Sequence, residues 1–163
     1  MLLVNKHSLT MAVQSTCAAR PEVRLAYLYG SQVEGSAGPG SDIDVGLLLA
    51  DAGDDELTLA EVTHTLTLAL PGEKLDVIPL HRAPIELAYK VIAQGECLYQ
   101  CDNATRVEFE ATVLTRYGDY LPVLRAMRAD ILQGDEDGRR VQRYREALRR
   151  TERTLGEIKG TQR

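Results

Sequence analysis

The sequence predicts an α+β fold that ends in a C-terminal helical extension. Three observations predict it. Over the first hundred residues, short runs of β-branched and aromatic residues alternate with segments of helical apolar spacing. From Ala104 onward the pattern is helical only. The chain has 163 residues, enough for one domain and a short appendage.

With 44% hydrophobic and 26% charged residues, the composition is that of an ordinary globular chain, which excludes wholesale disorder and fibrous architectures. Apolar runs such as Val45 to Ala50 and Leu66 to Pro71 fall far short of the roughly 20 residues a membrane helix needs. The stretch from Ser8 to Thr16 is too polar for a signal-peptide core, so the expected location is cytoplasmic. Cys17, Cys97 and Cys101 are an odd number in a chain that can bury a core without staples, and they read as thiols rather than a disulfide framework.

Ser8 can cap a first helix through Leu9, Met11, Ala12 and Val13, which Arg20-Pro21 ends. Val23 to Tyr29 reads as a strand that delivers the chain to a turn at Gly30-Ser31. Gly35, Gly38, Pro39 and Gly40 make the second half of the following segment a loop, and a strand restarts at Asp42 and runs to about Ala50. Asp51 to Asp55 is a polar break before a second helix, which ends at Pro71-Gly72. Leu75 to Leu80 is a third strand. Pro84 opens another helix, closed near Gly95, and Glu96 to Gln100 is a short strand. From Ala104 onward, Val107, Phe109, Val113, Leu114, Tyr117, Tyr120, Leu121 and Leu124 share a broad helical face, with a kink or break expected at Pro122. Gly134 to Gly138 reads as a linker, and a last helix follows.

The charge is uneven. The net charge of −5 divides into +6 over residues 139–163 and −11 over the rest. An acidic body does not suit sequence-independent binding to a phosphate backbone, which needs clustered Lys and Arg.

Gly30-Ser31, ten residues, then Asp42-Ile43-Asp44 is the pattern that carries chemistry. Side chains alternate along a strand, so carboxylates at i and i+2 project from one face and repel unless a cation lies between them. Mg²⁺ is the expected cation, because it prefers oxygen ligands and shares its octahedron with substrate phosphates. Two such ions about 3.5–4 Å apart would clamp the attacking and leaving oxygens of a phosphoryl displacement. Asp76, a lone acid in an apolar strand, is the candidate third carboxylate or the general base; buried there, its charge would need a partner. Gly30 and Ser31 at a strand end can bring N–H groups and a hydroxyl to phosphate oxygens, and Ser41 can orient the Asp42 turn. His7, His64 and His81 show no metal spacing.

The residues Gly30, Ser31, Asp42 and Asp44, with Asp76 following, resemble the nucleotidyltransferase superfamily that includes DNA polymerase β. The similarity runs over about residues 20–100 and points to its minimal members, the antitoxin half of HEPN/MNT toxin-antitoxin pairs. The resemblance implies a polymerase β-like fold, a small mixed sheet flanked by helices. It implies a minimal nucleotidyltransferase domain over residues 1–103 and a helical extension over 104–163. The implied activity is Mg²⁺-dependent transfer of AMP from ATP to a tyrosine hydroxyl of a HEPN ribonuclease toxin. Catalysis and metal binding would fall to Asp42, Asp44 and Asp76, and nucleotide binding to Gly30, Ser31 and Ser41. The chain departs from the family in carrying Gln32 and Glu34 where members frequently have arginine beside the triphosphate. Two alternatives remain: neutralisation of the toxin by binding alone, through the apolar face around Phe109, Tyr117, Tyr120 and Leu124 and the basic last helix, and nucleotidyl transfer to an aminoglycoside or RNA hydroxyl.

Overall fold

The computed structural model describes residues 5–38, 40–50 and 55–132. The elements are α1 (Lys6–Ala18), β1 (Val23–Tyr29), α2 (Ser31–Glu34), β2 (Ile43–Leu49), α3 (Asp55–Ala69), β3 (Leu75–Pro79), a 3₁₀ turn at Leu80–Arg82, α4 (Ile85–Gln94), β4 (Glu96–Gln100) and α5 (Asn103–Leu132). The chain divides into two compact units, Met1–Tyr117 and Gly118–Arg163, with the boundary inside α5. The Gly134–Gly138 linker, the basic last helix and the 51–54 break lie outside the described residues.

The fold is α+β, with one mixed four-stranded sheet in the order β3-β2-β1-β4. β1 is antiparallel to both β2 and β4, while β2 and β3 are parallel. A parallel pair needs a crossover, and α3 supplies it. The outermost position of β3 exposes Asp76, which corrects the expectation of a buried acid: an edge strand leaves its charge in water.

Helices cover both faces of the central strand, so β1 is buried almost throughout. A bulge at Arg24 sets two residues of β1 against one of β2. Val23, Ala26 and Leu28 consequently join Ile43, Val45 and Leu47 in a core with Val13 and Cys17 of α1 and Val62 and Leu66 of α3. Leu25, Tyr27 and Tyr29 point the other way, into a second core with Leu80 of the 3₁₀ turn and Val91 of α4, against which Phe109 packs.

Three boundaries differ from the sequence reading. Asn5, rather than Ser8, caps α1, its side chain accepting the His7 N–H at 3.0 Å. The helix therefore starts a turn earlier, because the first suitable oxygen wins the orphan donors. Pro84 stands just before α4 as its cap instead of inside it. Pro122 does not end α5: loss of one N–H and a local clash are tolerated inside a thirty-residue helix with intact turns on both sides.

The start of α5 is fixed by Asp102, whose carboxylate accepts the Thr105 N–H at 2.7 Å and the Thr105 hydroxyl at 2.9 Å. Those bonds hold the Asp102 carboxyl down at about 2. One turn on, the Tyr27 hydroxyl donates to Glu110 at 2.7 Å, and Arg106 donates to the same oxygen at 2.8 Å. Phe109 lies 6.5 Å from the Tyr27 ring, and Tyr117 stacks on Tyr89 at 3.8 Å. Phe109 and Tyr117 of the expected helical face are thus packed, whereas Val107 and Leu114, expected on the same face, are exposed: one helix side is wider than the surface it packs on.

Candidate active site

The β1–α2 corner is built around Gly30. Its φ of 73° lies in the left-handed region, and a Cβ there would collide with the Asp44 carboxylate, 3.1 Å from its Cγ. Only glycine brings the backbone this close. The four-residue turn α2 follows, closed by the Val33 and Glu34 N–H groups donating to the Gly30 carbonyl, each at 3.1 Å.

The loop back to β2 is held by Ser41. Its hydroxyl accepts the Gly38 N–H at 2.9 Å, and its own N–H donates to the Gly38 carbonyl at 3.0 Å. Asp42 then precedes the strand. It is exposed and lies 3.8 Å from the Lys74 ammonium. Ile43 donates its N–H to the Lys74 carbonyl at 2.8 Å, which starts the β2–β3 ladder.

Register aligns the chemistry. Tyr29 is paired with Asp44 across β1–β2, and Asp44 with Asp76 across β2–β3. Residues directly opposite in adjacent strands share a face, so the two carboxylates and the phenol form one row. Because Asp44 faces the α4 side of the sheet, it is partly buried, and burial raises its carboxyl above the usual carboxylate range. Repulsion from Asp76, Asp42 and Glu34 raises it further, and Lys90 opposes them. Burial pushes the Tyr29 hydroxyl up to about 12, with Asp44 and Asp76 adding to the shift.

Gly30, Ser31, Asp42, Asp44 and Asp76 therefore meet at one end of the sheet, with Ser41 supporting the loop between them. The acids at this end of the sheet offer carboxylate oxygens, the donor type that suits Mg²⁺, and the repulsion felt by Asp44 is what a cation would relieve. Among the described residues, no three His, Cys, Asp or Glu side chains are drawn together as a finished metal cage. Mg²⁺ needs no such cage, because it is usually held by one or two carboxylates together with substrate phosphates.

Sequence reasoning placed Glu34 beside the triphosphate but missed Lys90, Lys74 and Tyr29. Lys90 of α4 approaches Glu34 of α2 to 2.6 Å and acts on Asp44. Nothing in the spacing of α4 tells which of its polar residues faces the site, because that depends on how the helix crosses the sheet. Lys74, next to the β3 start, was the more legible of the two cations.

The family model described as Polymerase beta, Nucleotidyltransferase matches residues 12–104. Protein adenylyltransferase MntA of Shewanella oneidensis is 34% identical over 79 residues, which span 48% of this chain and 55% of that protein. The match thus covers about half the length of that relative. A crystal structure of a toxin-antitoxin with AMP-PNP is 25% identical at a TM-score of 0.63, covering 79% of this chain and 99% of that one. An MNT antitoxin in complex with a tri-AMPylated Shewanella oneidensis HEPN toxin has the same fold, at 23% identity and a TM-score of 0.61, with 78% and 98% of the two chains covered.

Proposed function

Since the chain belongs to the polymerase beta nucleotidyltransferase family, we propose that it is a metal-dependent nucleotidyltransferase acting as an antitoxin, which transfers AMP from ATP to a tyrosine hydroxyl of a cognate HEPN ribonuclease toxin. One observation carries the reading: the backbone at Gly30 lies against Asp44, and Asp44 is in register with Asp76, so a phosphate-binding corner and a carboxylate pair share one end of the sheet.

The residues divide the work. Gly30 and Ser31 bind phosphate oxygens through backbone N–H groups and the Ser31 hydroxyl. Ser41 keeps the loop in the shape that presents Asp42. Asp42, Asp44 and Asp76 are the residues that would hold Mg²⁺, which would offset charge on the phosphates and make the α-phosphorus easier to attack. Asp76, exposed at the sheet edge, takes the proton of the incoming tyrosine hydroxyl. The hydroxyl oxygen bonds to the α-phosphorus, the bond to the bridging oxygen breaks, and pyrophosphate leaves.

The named relative is an adenylyltransferase, and the similar structures include an AMP-PNP complex and an AMPylated HEPN toxin, which support the donor and the partner. The family match ends at Ala104, in support of placing the transferase in residues 1–103 and the helical extension in 104–163. Among the described residues no helix is long and apolar enough to cross a membrane. Three free thiols agree with work in the reducing cytoplasm.

The experiment is intact mass spectrometry of a HEPN partner after incubation with this protein, ATP and Mg²⁺. A gain of whole AMP units that disappears with Asp42→Asn/Asp44→Asn is the expected result. Complex formation without a mass gain would replace transfer by neutralisation through binding, and a gain only with an aminoglycoside or RNA acceptor would replace the toxin.

A further inference from the structure

We propose that Lys90 is the residue that grips the polyphosphate of the nucleotide, and that Glu34 parks it beside the site until the nucleotide arrives. The inference deepens the nucleotidyltransferase reading and rests on it.

The corner poses an electrostatic problem. Glu34, Asp42, Asp44 and Asp76 place four carboxylates around one end of the sheet. A triphosphate brings still more negative charge to the same place, and metal ions bound by the acids offset only part of it. A fixed cation is needed, and neither Gln32 nor Glu34 on the turn after Gly30-Ser31 supplies one.

Among the described residues, the ammonium groups of Lys74 and Lys90 reach the corner. Lys74 lies 3.8 Å from Asp42 and is the more exposed of the two. Lys90 comes from α4, the helix that covers the Asp44 face of the sheet, and lies 2.6 Å from Glu34 Oε1. Glu34 ends the turn that begins at Ser31, so the ammonium is held one helical turn from the proposed phosphate cradle. Lys90 is also near enough to Asp44 for its positive charge to act on that carboxylate.

The Lys90–Glu34 pair is built to be exchanged. Its side chains are 48% and 39% exposed, and ion pairs at such exposure hold weakly. A polyphosphate offers more charge and several oxygens, and a lysine contacts phosphate as a mobile point charge on a flexible stem. Binding therefore moves the ammonium from Glu34 to phosphate, and Glu34 sets a threshold that a ligand without phosphates does not cross.

The test is calorimetric titration of the full chain with AMP-PNP and Mg²⁺, with adenosine as the phosphate-free control. Lys90→Gln is expected to weaken AMP-PNP binding by about tenfold and leave adenosine unchanged. Glu34→Gln is expected to tighten AMP-PNP binding by about two- to fivefold, and the double variant to follow Lys90→Gln. AMP-PNP affinity unchanged in Lys90→Gln would overturn the grip. An equal gain from Glu34→Gln with and without Lys90 would overturn the parking role, because it would reduce Glu34 to one more negative charge. Absence of AMP-PNP binding by the unmodified protein would sink the nucleotidyltransferase reading itself, so the two failures are told apart by the starting protein.

Discussion

Asp44 and Asp76 are Cα register partners across the parallel pair β2–β3, and the pairing sets a partly buried carboxylate beside an exposed one. The same strand-to-strand step on the other side of β2 reaches Tyr29. A row of two acids and a phenol at a sheet end stores repulsion in the folded state, and a divalent cation would release it.

That repulsion has a measurable sign. The Asp44 carboxyl is raised on folding, so its contribution to stability is full below the ordinary carboxylate range and is lost as pH rises through its folded value. Without Mg²⁺, the melting temperature of the wild-type protein is expected to gain less between acid and neutral pH than that of Asp44→Asn. At neutral pH Mg²⁺ should stabilise the wild type, by about 2.7 kcal/mol at a hundred times its dissociation constant, and leave Asp42→Asn/Asp44→Asn unmoved. Scanning calorimetry with and without chelator decides it.

Gly30→Ala should be among the most damaging small changes. The positive φ costs an L-residue about 1–2 kcal/mol, and the new methyl displaces the Asp44 carboxylate. Urea unfolding should show the stability loss. AMP transfer should fall by about a hundredfold if the carboxylate moves by an ångström.

Tyr27→Phe removes the hydroxyl that donates to Glu110 while keeping the buried ring. Glu110 retains Arg106 as a donor, so the expected cost is that of one hydrogen bond, about 1 kcal/mol, with transfer preserved. A larger loss in chemical unfolding would mean that the Tyr27–Glu110–Arg106 group acts cooperatively in docking the start of α5.

Cys17 is buried on the inner side of α1, and burial pushes its thiol up to about 12. It should resist iodoacetamide in the native protein at pH 8, whereas exposed Cys101 reacts. Because the thiol is raised on folding, its stabilising contribution is complete below its ordinary value near 9 and declines as pH climbs toward 12. Cys17→Ser should lessen the alkaline part of the unfolding curve.

Much of this protein is written locally. The strands at Val23–Tyr29 and Glu96–Gln100 fall where β-branched and aromatic residues run between turn residues, because strand preference and turn chemistry are short-range. Gly30, Ser31, Asp42, Asp44 and Asp76 were legible as candidates because a tight corner and alternating acids leave a fixed spacing in the chain. The cap at Asn5 and the unbroken helix through Pro122 were not, since several residues competed for each role.

The sequence by itself determined the residue types and their order: a glycine corner, an acid pair on one strand and a third acid on another. Only the tertiary structure decided that Asp76 lies at an exposed edge in register with Asp44, that Gly30 touches that carboxylate, and that the cation beside it is Lys90. The reason is physical. Spacing along a chain fixes what a strand or helix presents to each side, while strand order, register and helix crossing arise from burying Val45, Leu47 and Val62 on one face of the sheet and Leu80 and Val91 on the other.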